Sequence, residues 1–126
     1  MSLKAVFPPG APTPMGPYSP GIDTGSLVFV AGQVGRNPET GEMHDGLEAQ
    51  AEQVMKNIAA ILDGAGLTWA NVAKTTCLLA DINDFQAFNA VYLKFVSDPK
   101  PARATYAVKD LPGGALVEVE AIAVRD

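Results

Sequence analysis

The chain has 126 residues, 48% apolar and 18% charged, enough for one hydrophobic core and too few for two ordinary ones. Its formal net charge of -5 excludes the broad positive field that a nucleic-acid backbone or an anionic membrane surface attracts. A single cysteine, Cys77, excludes an intrachain disulfide and any multi-cysteine metal centre, and fits a reducing compartment.

The opening MSLKAVFPPG lacks the apolar run of a signal peptide, so a cytoplasmic location is expected; Met1-Ser2-Leu3 also suits an expression remnant. After Phe7, PPGAPTPMGPYSPG holds too many prolines and glycines for a helix or central strand and is expected to be a loop or tail. SLVFVAGQVG reads as a strand with both alternating sides apolar. The NPETGE stretch is a turn, punctuated by Pro38 and Gly41.

Asp45 and Glu48 have the spacing of a capping box. Leu47, Ala51, Val54, Ile58, Ile61 and Ala65 then recur at helical steps, predicting a helix that ends near Gly64 or Gly66. VAKTTCLLA predicts a strand over 72–80. Asp81 is placed to cap a second helix carrying Phe85, Phe88, Tyr92 and Phe95 on one side, closed by Pro99 and Pro101. Two strands follow, 103–108 and 115–124, joined by the turn-forming KDLPGG.

Strands, helix, strand, helix and strands in one chain predict an α+β domain spanning 1–126, a mixed β-sheet with two helices packed on one face. The last strand is apolar on both alternating sides, and two helices cover only one face of a sheet. An open apolar face is rare on a monomer, which predicts a homo-oligomer joined through that face.

Three arginines, Arg36, Arg103 and Arg125, are the guanidinium groups available to an acidic ligand. Period two puts Arg103 and Thr105 on one side of their strand and Ala104, Tyr106 and Val108 on the other. The short glycine-containing connector predicts that the last strand is its antiparallel neighbour, bringing Glu118 or Glu120 within reach. Such a pair is either a structural ion pair at a subunit seam or a small-molecule site. In the second case arginine grips a carboxylate while a buried glutamate moves a proton or orients water. Periodicity leaves both open.

GPYSPG, VFVAGQ, TGE, PARATYAV and LPGGALVEVEAIAV occur in matching order and spacing along nearly the whole chain, and together they resemble the RidA/YjgF family of imine and enamine deaminases. The resemblance implies a chorismate-mutase-like fold, assembled as a trimer around a central barrel with active sites between subunits. It also implies hydrolysis of small 2-imino acids, such as 2-iminobutanoate and 2-iminopropanoate, to 2-oxo acids and ammonia, with no cofactor or metal and no nucleic-acid or membrane partner.

Carried over by position, the resemblance makes Arg103 the carboxylate-binding residue and Glu118 the holder of the reactive water. Tyr18 lines the cleft, and the backbone of Gly32 and Thr105 supplies polar contacts. Two positions depart from many members: Thr105 stands where they carry cysteine, which excludes thiol chemistry there, and Ala31 where they carry serine.

Other residues read more plainly. His44, in a polar loop, is expected to be solvated, and Asn89 to be hydrogen-bonded nearby. Trp69 and the helix phenylalanines suit packing, and the AGQVG glycines lack the helix start of a phosphate loop. Two rival functions remain: a non-catalytic trimer that binds small acids or client proteins, and isomerisation of a chorismate-like diacid. The latter would require a second cation beside Arg103.

Overall fold

The computed structural model describes residues 2–126. Six strands and two helices follow one another as β1 (Lys4–Val6), β2 (Gly21–Asp23), β3 (Leu27–Val34), α1 (Leu47–Gly64), β4 (Val72–Leu79), α2 (Phe85–Tyr92), β5 (Ala102–Ala107) and β6 (Val117–Val124). They form one mixed sheet in the order β1-β2-β3-β6-β4-β5. All pairings are antiparallel except β4 with β5, which run parallel.

The helical spacing of α1 turns Ala51, Val54, Met55, Ile58, Ile61 and Leu62 inward, all with no solvent exposure. They meet Val28 and Val30 of β3 and Val117, Val119, Ala121 and Ala123 of β6 in one core cluster. Burying each of the larger aliphatic side chains contributes roughly 1.5–3 kcal/mol, so this stripe fixes α1 on the sheet. The second helix buries Phe88, Val91 and Tyr92 beside it, and both helices share that face. The opposite face has no helix over it: Phe29, Tyr106 and Val124 remain 41%, 56% and 40% exposed there.

The proline-rich 8–20 stretch is a loop, as expected, and two three-residue strands absent from the sequence reading, β1 before it and β2 after it, extend the sheet beyond β3. Two helix starts differ from the sequence reading. The Asp45/Glu48 capping box does not form: Gly46, at φ 89, is the N-cap and no side chain caps the helix. A positive φ is open to glycine at little cost, so the chain enters α1 through a backbone conformation. Asp81 does cap, its Oδ1 accepting from Asn83 N at 2.9 Å, but it caps a single 3-10 turn (Ile82–Asp84) that leads into α2.

The most consequential difference concerns β5. It pairs with β4, Arg103 opposite Thr75, and β4 lies between it and β6. Parallel neighbours need a crossover, and α2 is that crossover, returning the chain to the edge of β4. The connector before β6 is therefore no hairpin; it passes the end of β4, turning through a 3-10 segment (Pro112–Gly114).

Candidate active site

Ala31 and Gly32 both stand opposite Glu120, because the β3–β6 register shifts between the Val30–Ala121 and Gln33–Val119 pairs. Such a bulge locally bends a strand and re-aims its residues. Here Gly32 lies against Glu118, and a Cβ added to Gly32 would collide with the Glu118 carboxylate. The missing side chain is the space the carboxylate occupies.

Glu118 and Gly32 line a cavity of about 420 Å³ together with Tyr18, Arg36 and Pro112. The proline-rich segment supplies one wall, and there Met15 N donates to Tyr18 Oη at 3.3 Å. Burial, with repulsion from Glu120, raises the pKa of Glu118 above its ordinary 4.5. The start of β6 is held by Gln50 of α1, whose Oε1 accepts from Leu116 N at 2.8 Å while its Nε2 donates to His44 O at 2.9 Å. His44 is not merely solvated: its Nε2 lies 3.0 Å from Gln53 Oε1.

Arg103 sits elsewhere. Its side chain faces α2, with Nη2 donating to Asn89 Oδ1 at 2.9 Å and the guanidinium carbon 4.8 Å from the Tyr92 ring centre. Phe85 and Phe88 complete the aromatic frame, at 5.5 and 5.8 Å. No carboxylate pairs with it among the described residues, so packing holds the cation in place and leaves its charge available. Thr105, on the same side of β5, has its Oγ1 buried without a hydrogen-bond partner.

Glu118 instead projects from the face opposite Val117 and Val119, away from the helices. With β4 between their strands and three residues of offset along it, the Arg103 and Glu118 backbones are about 14 Å apart by strand geometry. The expectation that the two strands are neighbours is thus corrected, and with it the expectation that one chain brings these groups together. Tyr18, Gly32 and Glu118 share the cavity; Arg103 and Thr105 do not line it.

The remaining arginine, Arg125, is committed to structure: it pairs with Asp23 and donates to Gly25 O and Ala65 O. Asn89, expected only to be hydrogen-bonded nearby, fixes Arg103, and sequence reasoning passed over Gln50 and Asn57, the buried amides beneath the cavity loops. No periodic signal marks them, since each acts on a segment distant in sequence. Among the described residues no group of three or more His, Cys, Asp or Glu is arranged to hold a metal ion, and no helix is long and apolar enough to cross a membrane.

The family profile described as endoribonuclease L-PSP matches residues 9–125. The chain belongs to that family. It is the RidA/YjgF family that the five collinear motifs resemble, and its members include proteins with quite different names. A 2-iminobutanoate/2-iminopropanoate deaminase of Mus musculus is 42% identical, with 97% of this chain and 91% of that protein covered. Among solved structures, RidA from the Antarctic bacterium Psychrobacter sp. superposes with a TM-score of 0.95 at 40% identity, covering 97% of this chain and 99% of that one. TdcF of E. coli, solved with bound serine, gives 0.94 at 38% identity, covering 98% and 99%. Several other RidA/YjgF relatives carry only the name RutC family protein.

Proposed function

We propose that this protein hydrolyses small 2-imino acids of the 2-iminobutanoate and 2-iminopropanoate type to 2-oxo acids and ammonia. The active sites lie at the seams of a homotrimer, Tyr18, Gly32 and Glu118 coming from one subunit and Arg103 with Thr105 from the next. The observation that carries this reading is the separation itself: an unpaired, aromatic-framed guanidinium on one face of the sheet and a half-buried carboxylate in a cavity on the other. Each is half of a site for an acid undergoing proton transfer, and a heterologous contact between identical chains can join the halves. The uncovered sheet face with Phe29, Tyr106 and Val124 offers the surface for that contact.

The chemistry follows from the groups. Arg103 holds the substrate carboxylate through charge-assisted hydrogen bonds and so fixes the imine carbon beside Glu118. Glu118 accepts a proton from water as the water oxygen bonds to that carbon, and the proton passes to the nitrogen. The hydroxyl proton of the resulting carbinolamine then passes through Glu118 to the amino nitrogen, the C–N bond breaks, its electron pair leaves with ammonia, and the 2-oxo acid remains. A carboxylate with a raised pKa is the stronger base for this work. No cofactor enters these steps.

The deaminase names of similar proteins and the serine held by TdcF support a small amino-acid-like ligand. The matched profile's name points instead to RNA cleavage, against which the net charge of -5 weighs. The buried, unpaired thiol of Cys77 fits a cytoplasmic setting.

The test couples a threonine or serine dehydratase to this protein and follows 2-oxo acid and ammonia. Acceleration over buffer that Arg103→Ala abolishes, with assembly unchanged by sedimentation, is expected. A rate equal to buffer would favour the non-catalytic binder, and full activity in Arg103→Ala would remove Arg103 from the mechanism.

A further inference from the structure

The cavity that holds Glu118 has one more charged residue in its wall, Arg36, and nothing in the hydrolysis of a monocarboxylic imine uses it. Its backbone is locked from below: fully buried Asn57 donates Nδ2 to Arg36 O at 3.0 Å and to Val34 O at 3.3 Å, and Arg36 forms a bridge with Met43. Its guanidinium is anchored at one corner, Nη1 donating to Gly41 O at 2.9 Å. Gly113, at φ 64, passes close by, within 3.6 Å of Nη2 at the position a Cβ would take, and among the described residues Nη2 itself makes no hydrogen bond or ion pair. The ion pairs among the described residues are Lys94–Glu52, Lys100–Asp98 and Arg125–Asp23, none of which uses Arg36.

An unpaired guanidinium in the wall of a cavity, on a chain of net charge -5, is a local anion receptor. Arg103 is already assigned to the carboxylate next to the imine carbon, which leaves Arg36 for a second one. We infer that Arg36 is a specificity-determining residue of this site, selecting 2-imino acids that carry a side-chain carboxylate, the four- and five-carbon imines formed by oxidising aspartate and glutamate. This rests on the deaminase reading given above. It also supplies the second cation that a diacid requires and that the sequence alone did not identify.

The experiment compares wild type with Arg36→Met and Arg36→Lys. Imines are generated in place by amino-acid oxidases, from aspartate or glutamate on one arm and from alanine or 2-aminobutanoate on the other, and 2-oxo acid formation is followed. The ratio of kcat/KM for the dicarboxylic over the monocarboxylic imine is expected to fall about tenfold or more in Arg36→Met, the scale of one charge-assisted hydrogen bond, chiefly through KM. Arg36→Lys should retain part of the preference. A ratio unmoved in Arg36→Met overturns the inference even where both imines are hydrolysed.

If wild type accelerates neither imine, the deaminase reading fails and binding decides the role of Arg36. Calorimetric titration with oxaloacetate and with 2-oxobutanoate should then show a diacid preference that Arg36→Met removes. Equal affinities, or a preference that survives in Arg36→Met, would overturn it.

Discussion

Gly32→Ala tests whether the position of the Glu118 carboxylate matters. The added Cβ would stand 3.0 Å from Glu118 Cδ and 3.3 Å from Cγ, and closer still to Oε2, so the carboxylate must swing away. The backbone has no objection of its own, because Gly32 lies in β3 and is not among the glycines with positive φ. The clash is with the end of a side chain, so the fold should survive, at an overpacking cost of about 1–3 kcal/mol. Catalysis should suffer more, since displacing a reacting group by about 1 Å can cost on the order of a hundredfold. The assay is dehydratase-coupled kcat/KM for wild type, Gly32→Ala, Glu118→Ala and the double variant. The two single losses should not add, because Gly32→Ala acts only through Glu118. Gly32→Ala with wild-type kcat/KM, or losses that add fully, would refute the role assigned to this carboxylate.

Burial raises the Glu118 pKa, so the acid limb of the kcat/KM profile should lie above 4.5, activity falling as the carboxylate gains its proton. The same shift has a stability consequence: the folded chain binds this proton more tightly than the unfolded one. Relative to Glu118→Gln, stability should therefore decline as pH rises from 4.5 through the raised value, as measured by denaturant midpoints; a flat difference would contradict the shift. Cys77 is fully buried and burial pushes its pKa up to about 11, so native protein at pH 8 should resist iodoacetamide while denatured protein is alkylated, as read by mass spectrometry. Rapid native alkylation would contradict the packing of Cys77 against Thr75.

What the sequence revealed depended on how local each signal was. The α1 stripe and the apolar runs of β3, β4 and β6 are periodic over eight residues or more, and their positions follow from that. The strands β1 and β2 have three residues each and flank the proline-rich loop; only pairing, β2 with β3 and β1 with β2, makes them strands. The misplacement of β5 had a readable remedy, since strand, helix, strand is the pattern of a parallel crossover, yet the glycine-rich connector suggested a hairpin.

The site divided similarly. Motif resemblance picked out Tyr18, Gly32 and Glu118, and all three line one cavity. That Arg103 faces away from them follows from sheet order and from Asn89 and Tyr92 on α2, which no single motif contains. Arg36 and Asn57 acquire meaning only when α1 is laid beneath the NPETGE loop.

Mixing two inactive chains tests the central claim most directly. Arg103→Ala and Glu118→Gln subunits, co-refolded in equal amounts, should each be inactive alone and together recover roughly a quarter of wild-type activity, because one seam in four then joins an intact Arg103 to an intact Glu118 across a cyclic interface. No recovery, in mixtures shown by mass spectrometry to contain both chains, would contradict a site shared between subunits.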